Sequence, residues 1–396
     1  MKTEWVHKKL GDLGYSYSGL SGKTIDDFGE GKPFIPYMNI FSNGEIDPNK
    51  LEYVRIAENE HQNKVEQGDW FFTTSSETPE EVGMTSVLVD NIGEAYLNSF
   101  CFGFRLYNKQ EFDPKFASYL FRSEELRKKI SLFAQGSTRY NLPKQQMFEK
   151  LFISYPESLS AQRRIAAILA SADKVIAATQ KLIAKYKQMK QGMMEELLKP
   201  KEGWKMVKLG KCSEIITGPF GSSLHEKDYT KEGTPVINPQ NMVNNKIIAI
   251  DSCLVNDETV ERLSKYKMKS GDIVIARRGE MGRCAVVEAN QEGWLCGTGS
   301  FVIKVHPEKI DAHFLQLQLG SNSTKIVLEN NSIGATMSNL NQSILSELEI
   351  DTPSLVEQRR IAAILSGIDA KIAAEEKVLE KYEKVKKGMM GRMLEE

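Results

Sequence analysis

The octapeptide QRRIAAIL occurs twice, at Gln162–Leu169 and again at Gln358–Leu365. The segments that follow both copies end in the tripeptide GMM, at Gly192–Met194 and Gly388–Met390. Matches continue upstream of the octapeptides, among them Trp5 with Trp204, Asn39 with Asn241, and Asn141 with Asn339. We therefore predict two copies of one unit of about 200 residues, a period too long for a solenoid repeat.

Each octapeptide begins a segment with the composition of a long helix. Between Ala161 and Lys199 there is no proline and a single glycine, and good helix formers predominate. Apolar residues recur at the four-and-three spacing of packed helices. The positions that we predict to pack are Ile165, Leu169, Ile176 and Tyr186 in the first helix, and Ile361, Leu365, Ile372 and Tyr382 in the second. Because such helices are about 55–60 Å long, we expect them to pack against each other as a coiled coil. The alternative is that each lies along its own domain.

The remainder of each unit is typical of a mixed globular domain. Short runs of strand-forming residues alternate with turns, and each series ends in a helical stretch, at residues 115–133 and 312–328. The predicted fold class is therefore α/β (α+β), with two homologous globular domains joined by two long helices. The predicted divisions are a first domain at 1–155, a first helix at 156–200, a second domain at 201–352 and a second helix at 353–396.

Composition excludes several classes of protein. The chain has 396 residues, of which 41% are hydrophobic, and no apolar run approaches the ~20 residues that span a bilayer. The five cysteines have no C-x-x-C spacing and the five histidines form no ligand set, so no metal site is predicted. We expect a cytoplasmic protein that does not associate with membranes.

The charge balance and the missing motifs bear on function. The chain has 52 basic and 53 acidic side chains, whereas nucleic-acid binders usually carry a positive excess. The totals argue mildly against a nucleic-acid partner but do not exclude a local basic cluster. GLSGKT at Gly19–Thr24 lacks the first glycine of a phosphate-binding loop, and no other catalytic motif is complete. These absences favour a binding protein over an enzyme.

Polar loops occupy matching places in the two units. TTSS at Thr73–Ser76 stands where the second unit has RRGE at Arg277–Glu280, and STRYNL at Ser137–Leu142 matches ATMSNL at Ala335–Leu340. Serine and threonine suit phosphate contacts, while arginine and asparagine suit bidentate contacts to base edges. Two domains that recognise different nucleic-acid sequences are expected to share a backbone framework and to differ in their loop residues. The alternative is that these loops are solvated turns.

The ordered set of motifs resembles the DNA-specificity subunit of Type I restriction-modification systems over nearly the whole chain. The likeness rests on the octapeptides that follow Pro156 and Pro353, on the terminal GMM, on TGPFGSSL, TPVINPQNM and GDIVIARRGEMGRCAVV in the second unit, and on YSGLSGKT, IPYMNIFSNGEID and STRYNLPK in the first. The resemblance implies that each globular domain is a target-recognition domain. It also implies that the helices are spacers, which we expect to pack antiparallel.

The resemblance also implies partners. Such a subunit binds double-stranded DNA at a split recognition site, docks two adenine-N6 methyltransferase subunits, and joins an ATP-driven restriction subunit. S-adenosylmethionine and ATP then belong to the partner subunits, and no cofactor is expected in this chain.

With this resemblance, we predict DNA contacts in both domains. The candidates in the first domain are Lys23, Asn39, Thr73, Thr74, Ser75, Ser76, Arg139, Tyr140 and Asn141. Those in the second domain are Ser222, Ser223, Asn238, Gln240, Asn241, Arg277, Arg278 and Asn339. Two other functions stay open at this point: a DNA-modifying enzyme with cryptic motifs, and a structural coiled-coil adaptor.

Overall fold

The computed structural model describes residues 4–220, 223–249, 253–332 and 339–395. The chain forms two compact units. The first contains Met1–Lys181 together with Lys377–Glu396, and the second contains Leu182–Glu376. Each unit therefore holds one globular domain and a share of both long helices. The four divisions predicted above are consecutive ranges of the sequence, whereas each compact unit contains parts of both long helices. The predicted domain boundaries therefore stay a prediction.

The first domain alternates short strands and helices and leads into a long helix. Its strands are β1 (Trp5–Lys9), β2 (Gly14–Ser18), β3 (Phe28–Ile35), β4 (Glu52–Val54), β5 (Trp70–Thr73), β6 (Ser75–Ser76), β7 (Thr85–Val87), β8 (Tyr96–Leu97), β9 (Cys101–Leu106), β10 (Tyr140–Asn141) and β11 (Phe152–Pro156). Its helices are α1 (Leu10–Leu13), α2 (Tyr37–Ser42), α3 (Pro114–Leu120), α4 (Glu124–Ser131), α5 (Lys144–Lys150) and the long α6 (Leu159–Leu197).

The second domain shares the main elements of the first in the same order and adds short strands and a helix between its first strands and its central sheet. Its strands are β12 (Lys205–Lys208), β13 (Ser213–Thr217), β14 (Tyr229–Thr230), β15 (Thr234–Ile237), β16 (Met242–Val243), β17 (Lys246–Ile247), β18 (Leu254–Val255), β19 (Ile273–Ala276), β20 (Cys284–Val286), β21 (Leu295–Cys296), β22 (Ser300–Val305) and β23 (Glu349–Thr352). Its helices are α7 (Leu209–Cys212), α8 (Asp257–Arg262), α9 (Ala312–Leu319), α10 (Asn322–Asn331), α11 (Gln342–Glu347) and the long α12 (Leu355–Met393).

The sheets confirm that the two domains share one topology. A four-stranded antiparallel sheet has the order β2-β9-β5-β7 in the first domain and β13-β22-β19-β20 in the second. Each domain also has a parallel pair, β3 with β8 and β15 with β21. The first and last strands of each domain pair antiparallel, β1 with β11 and β12 with β23. The predicted fold class, mixed domains with two long helices, is confirmed.

Each helical stretch predicted at 115–133 and 312–328 is two short helices. α3 and α4 are separated near Ser123, whose side chain accepts a hydrogen bond from the backbone N–H of Leu126. α9 and α10 are separated near Ser321, which caps α10 in the same way through Thr324. A serine at this position satisfies backbone donors at a new helix start, so the chain turns where a continuous helix was predicted.

The two cores differ in composition. In the first domain, Trp70 is fully buried, and its ring lies 4.7–5.2 Å from those of Phe104, Phe112 and Phe121. At the positions equivalent to Trp70 and Phe104, the second domain has the buried aliphatic side chains of Ile273 and Ile303. The same backbone topology is therefore filled by different side chains, as expected after a duplication whose copies have diverged.

The first residue of each octapeptide anchors a long helix to its domain. The buried Gln162 side chain accepts from the backbone N–H of Asp113 at 2.8 Å and donates to the carbonyl oxygen of Pro156 at 2.9 Å. Gln358 makes the same pair of bonds, with Asp311 and Pro353, at the same distances. The repeated glutamine thus satisfies buried backbone groups at the junction of strand and helix.

Within the first unit, the start of α6 packs against the end of α12. Leu169 and Leu394 lie in the same core cluster, with Ile165, Met389 and Met390 at its margin. Lys386 forms an ion pair with Asp173, which lies further along α6. Because later residues of α6 meet earlier residues of α12, the two helices run antiparallel in this unit.

The second unit repeats this arrangement with the roles of the helices exchanged. Lys190 of α6 forms an ion pair of 2.7 Å with Asp369 of α12, and Lys187 pairs with Glu376 at 2.8 Å. The helices are again antiparallel. Asp173 and Asp369 are equivalent in the repeat, as are Lys386 and Lys190, so each copy supplies both halves of the same type of pair.

Most predicted packing positions lie on the covered face of their helix, with one exception. Leu169, Ile361, Leu365 and Ile372 are buried, and Ile165, Ile176 and Tyr186 are half-buried. Tyr382 is 39% exposed, so its assignment to the packed face is corrected. Tyr186 lies under the ammonium group of Lys371, 6.0 Å from the ring centroid. No helix among the described ranges is both long and apolar enough to cross a bilayer.

Candidate nucleic-acid interface

A short strand pair assembles the polar loops of the first domain. β6 pairs antiparallel with β10, so that Tyr140 faces Ser76 and Asn141 faces Ser75. The bridge continues with the backbone N–H of Leu142 donating to the carbonyl oxygen of Thr74 at 2.9 Å. Two loops separated by about 60 residues of sequence are thereby brought together. Most of the candidates predicted in this domain lie on this bridge or next to it: Thr74, Ser75, Ser76, Arg139, Tyr140 and Asn141.

Arg139 is held on this bridge with most of its donors unused. Its Nη2 donates to the Oγ of Ser75 at 2.8 Å, and its Nε donates to the same atom at 3.2 Å. The loop can reach Ser75 because Gly136 adopts a φ of +139°, and an added Cβ there would lie 2.1 Å from the carbonyl oxygen of Arg139. The guanidinium is exposed and forms no ion pair with any described residue.

The second domain forms an equivalent bridge. Arg278 pairs with Asn339, and the backbone N–H of Leu340 donates to the carbonyl oxygen of Arg277 at 3.0 Å. The Arg277 guanidinium lies 5.9 Å from the centroid of the Phe301 ring. Arg278 is exposed. The predicted loop positions 335–338 lie outside the described residues, as does Ser222.

The bridges correct the sequence alignment by one residue. Asn141 faces Ser75, whereas Asn339 faces Arg278, so Ser75 corresponds to Arg278 and Thr74 to Arg277. The two domains therefore present arginine from opposite strands of the bridge. In the first domain it comes from the later loop, as Arg139, and in the second from the earlier loop. This difference in side chains on a shared backbone is what distinguishes the two candidate surfaces.

Two of the predicted DNA contacts have a structural role instead. Asn39 is 3% exposed, donates to the carbonyl oxygens of Asp47 and Lys50, and accepts from the backbone N–H of Asp47. Asn241 is 1% exposed, donates to the carbonyl oxygen of Ile248, and accepts from the backbone N–H of Asn238. Both amides are consumed in fixing a loop, which explains their equivalence in the repeat and removes them from a surface role.

Lys23 and Thr73 are also occupied within the fold. The Lys23 ammonium, whose side chain is 8% exposed, donates to Glu60 at 2.5 Å and to the carbonyl oxygen of Arg55 at 2.6 Å. The hydrogen bond from Lys23 lowers the pKa of Glu60 to about 2. Thr73 is buried, and its Oγ1 accepts from the backbone N–H of Met84 at 2.9 Å. Neither side chain is available to DNA.

The remaining candidates of the second domain are spread over its surface. Asn238 is half-buried against Gly297, where an added Cβ would lie 2.2 Å from the Asn238 Oδ1. Gln240 is exposed and lines a different cleft, shared with Arg283 and Lys190 of α6. Ser223 is half-buried, and its carbonyl oxygen accepts from Arg262. The structure does not place these three residues on the Arg278–Asn339 bridge.

A cleft of about 730 Å³ beside the first bridge was missed at the sequence level. Tyr37 and Phe41 of α2 line it with stacked rings 5.7 Å apart, and the Tyr37 hydroxyl donates to the carbonyl oxygen of Ser75 at 3.0 Å. Burial raises the pKa of Tyr37. Phe100, which is 60% exposed, lies at the rim. The four-residue spacing of Tyr37 and Phe41, which places both rings on one face of a helix, was a usable signal in the sequence.

The shared topology and the two bridges can be compared with known proteins. The chain belongs to the family described as the Type I restriction modification DNA specificity domain, whose model matches residues 2–188 and again 201–384. It is therefore a DNA-binding specificity subunit of a Type I restriction-modification system, with two recognition domains.

Individual relatives agree with this assignment. The chain is 28% identical over 413 aligned residues to a proposed type I restriction enzyme MjaX specificity subunit of Methanocaldococcus jannaschii, covering 99% of this chain and 93% of that protein. It is 25% identical to the EcoKI specificity subunit of Escherichia coli K12, over 48% of this chain and 42% of that protein.

Solved structures share the fold. A crystal structure of the S subunit of a type I restriction-modification system from M. genitalium aligns with a TM-score of 0.57 at 15% identity, covering 99% of this chain and 96% of that chain. A chain from a study of complex assembly and conformational transition of the type I R-M system aligns with a TM-score of 0.64 at 17% identity, covering 98% and 97%.

Proposed function

We propose that this chain reads a split DNA site, with one domain for each half. The observation that carries this proposal is the bridge that both domains build on the same backbone from different side chains. Ser75 and Arg139 occupy it in the first domain, and Arg278 and Asn339 in the second. Identical side chains would favour a palindromic site, whereas unlike ones favour two different half-sites.

The chain is non-catalytic in this proposal and works with partner subunits. Relatives are named as specificity subunits of type I restriction enzymes, which supports assembly with two methyltransferase subunits and a restriction subunit. The methyltransferase subunits would supply S-adenosylmethionine and the restriction subunit would use ATP. With a net charge of −1, the isolated chain would bind DNA weakly, and the partners would add electrostatic affinity. The assembly would act in the cytoplasm.

The long helices set the gap between the half-sites in this proposal. Each unit holds an antiparallel helix pair, and the sequence repeat supports a proposal in which each domain approaches its half-site in the same pose on opposite strands. Because the DNA groove returns to the same side about every 10.5 base pairs, helix length and groove phase have to agree.

Lengthening both helices tests this ruler. We would insert four residues after Lys181 and four after Glu376, where the compact units divide, so that the contacts within each unit are kept. The added length of about 6 Å should lengthen the preferred gap by roughly two base pairs. Gel-shift titration of the assembled complex over a series of gap lengths measures this optimum. An unchanged optimum in the lengthened protein would refute the ruler.

A second assay separates binding from catalysis. The purified chain alone would be incubated with labelled S-adenosylmethionine and DNA, and the methyltransferase complex would serve as the positive control. We expect label transfer only with the complex. Transfer by the chain alone would show a DNA-modifying enzyme instead.

A further inference from the structure

The cleft beside the first bridge brings unlike chemistry to one surface. Its lining includes Tyr37, Met38, Phe41, Glu77, Phe100 and Arg139. Met38 and Phe100 are about 60% exposed, at 59% and 60%. Solvent-exposed apolar side chains beside charged groups are typical of a recognition surface, because exposed apolar surface is costly to leave in water.

Three charged side chains line this cleft, and one of them, Glu81, accepts a hydrogen bond from the Thr78 hydroxyl at 3.0 Å. The other two, Arg139 and Glu77, form no ion pair with any described residue. Arg139 bonds only the Oγ of Ser75 among the described residues, which fixes its Nη2 and Nε and leaves its Nη1 donors available. Glu77 is exposed and forms no ion pair with any residue in the described ranges. Arg139 and Glu77 therefore line one cleft without forming an ion pair with each other.

The second domain shows that this lack of pairing is particular to the first. Glu280 lies two residues after Arg278, as Glu77 lies two residues after Ser75, so the two glutamates are equivalent. Glu280 is neutralised by Arg283 at 3.1 Å and by Lys325 at 3.2 Å, and these cations lower its pKa. Glu77 has no such partners among the described residues.

Resting on the proposed function, we propose that this cleft reads one G·C base pair in the major groove. Arg139 donates to O6 and N7 of the guanine, and Glu77 accepts from the N4 amino group of the cytosine. A G·C pair presents these acceptors and this donor side by side, and arginine and glutamate are the side chains that match them. Phosphate cannot be the ligand of Glu77, because a carboxylate facing a phosphate is repelled.

The pairing also gives the cleft a means of rejection. Glu77 repels any DNA that does not offer an amino group at this place, so the carboxylate lowers affinity for wrong sequences more than for the right one. Replacing Glu77 with glutamine should therefore raise binding to unrelated DNA while it weakens the preference for the G·C pair. A residue with only a structural role would not change these two quantities in opposite directions.

Selection from a random DNA pool tests the proposal. The full chain with its host methyltransferase subunits would be used as wild type, Glu77→Gln, Arg139→Ala and Arg139→Lys. Glu80→Gln is the matched control, because Glu80 is exposed, lies on the same loop and does not line the cleft. We expect Glu77→Gln and both Arg139 variants to lose about tenfold or more of the preference at one shared G·C position. All other positions should be unchanged, and Glu80→Gln should select the wild-type motif.

The outcomes separate this inference from the proposed function. If the Glu77 and Arg139 variants select the same motif as the wild type, the assignment of the cleft is wrong. The proposal of a split site would not be affected by that result. Uniform weakening across all sequences in Arg139→Ala would show a phosphate contact and would also overturn it. A wild-type complex that selects no motif would refute the proposed function itself.

Discussion

The two recognition domains place arginine on different loops of the bridge, although the pairing between the two loops is the same. Arg139 reaches Ser75 across the first bridge, while Arg278 occupies the position of Ser75 on the second. The cationic group comes from the later loop in the first domain and from the earlier loop in the second, while the pairing of the two loops is kept. Specificity can therefore diverge between copies at little cost to the fold.

Ser300 and Cys101 offer a reciprocal test of core packing. They are equivalent, because each faces the last residue of the adjacent strand, Ala276 or Thr73. Ser300 is fully buried, and its Oγ has no hydrogen-bond partner among the described residues. An unpaired buried hydroxyl costs about 1–3 kcal/mol. Ser300→Cys should raise the free energy of unfolding by ~1 kcal/mol.

Urea denaturation followed by circular dichroism measures this difference. The reciprocal change, Cys101→Ser, would place a hydroxyl in the equivalent buried position of the first domain and should lower the stability of that domain. Equal stability of Ser300→Cys and wild type would show that the Ser300 hydroxyl carries no penalty.

Glu60 predicts a specific pH dependence of stability. Its pKa is lowered to about 2, chiefly by the hydrogen bond from Lys23. A carboxyl whose pKa is lower in the folded state adds stability above its unfolded pKa, near 4.5, and this stability is lost as the pH falls towards 2. Glu60→Gln should therefore lower the thermal midpoint at pH 7, and the difference from wild type should shrink below about pH 4.5.

Thermal unfolding at several pH values, with Glu58→Gln as control, checks this dependence. Glu58 is exposed on the same segment and forms no ion pair within the described part of the chain, so its replacement should have little effect at any pH. A Glu60→Gln difference that stays constant from pH 7 to pH 3 would contradict the assignment.

The junction between strand and long helix depends on one side chain in each copy. Gln162 bonds the backbone of both Asp113 and Pro156 while fully buried. Gln162→Ala would leave these backbone groups without a partner, and we expect a loss of about 1–3 kcal/mol in the free energy of unfolding. Gln180→Ala, at an exposed position of the same helix, should be near neutral. A loss of the same size in both variants would indicate a general effect on the helix.

The long helices and the duplication could be predicted because their signals are local. The spacing of Ile361, Leu365 and Ile372 is a property of neighbouring residues, and all three are buried as predicted. The role of Gln162 could not be predicted, since its partner Asp113 is distant in sequence. Tyr382 lies on the same apolar stripe but is exposed. The spacing of apolar residues predicts which face of a helix packs, but not where along the helix the packing ends.

The candidate site was predictable in part for the same reason. The polar loops were recognised by composition, but the bridge between Ser75 and Asn141 depends on long-range pairing. Asn39 has the residue type of a base reader and is buried by the loop that it stabilises. Residue type alone does not distinguish an amide that serves the fold from one that faces a ligand.

The duplicated architecture relates these details to one function for the whole chain. Each unit joins a recognition domain to an antiparallel helix pair, and the ion pairs Lys386–Asp173 and Lys190–Asp369 occur at equivalent positions of the repeat. We propose that two unlike domains carried by equivalent helices recognise the two different halves of a split recognition sequence.

Methylation sequencing of the host genome tests that proposal most directly. Cells that carry the chain would be compared with cells that lack it and with cells that carry Arg278→Ala. The account predicts one split motif, with two different specific parts and a fixed gap, whose methylation disappears without the chain. Arg278→Ala should relax one position in one half only. A methylated motif that is continuous, or one that persists without the chain, would contradict the account.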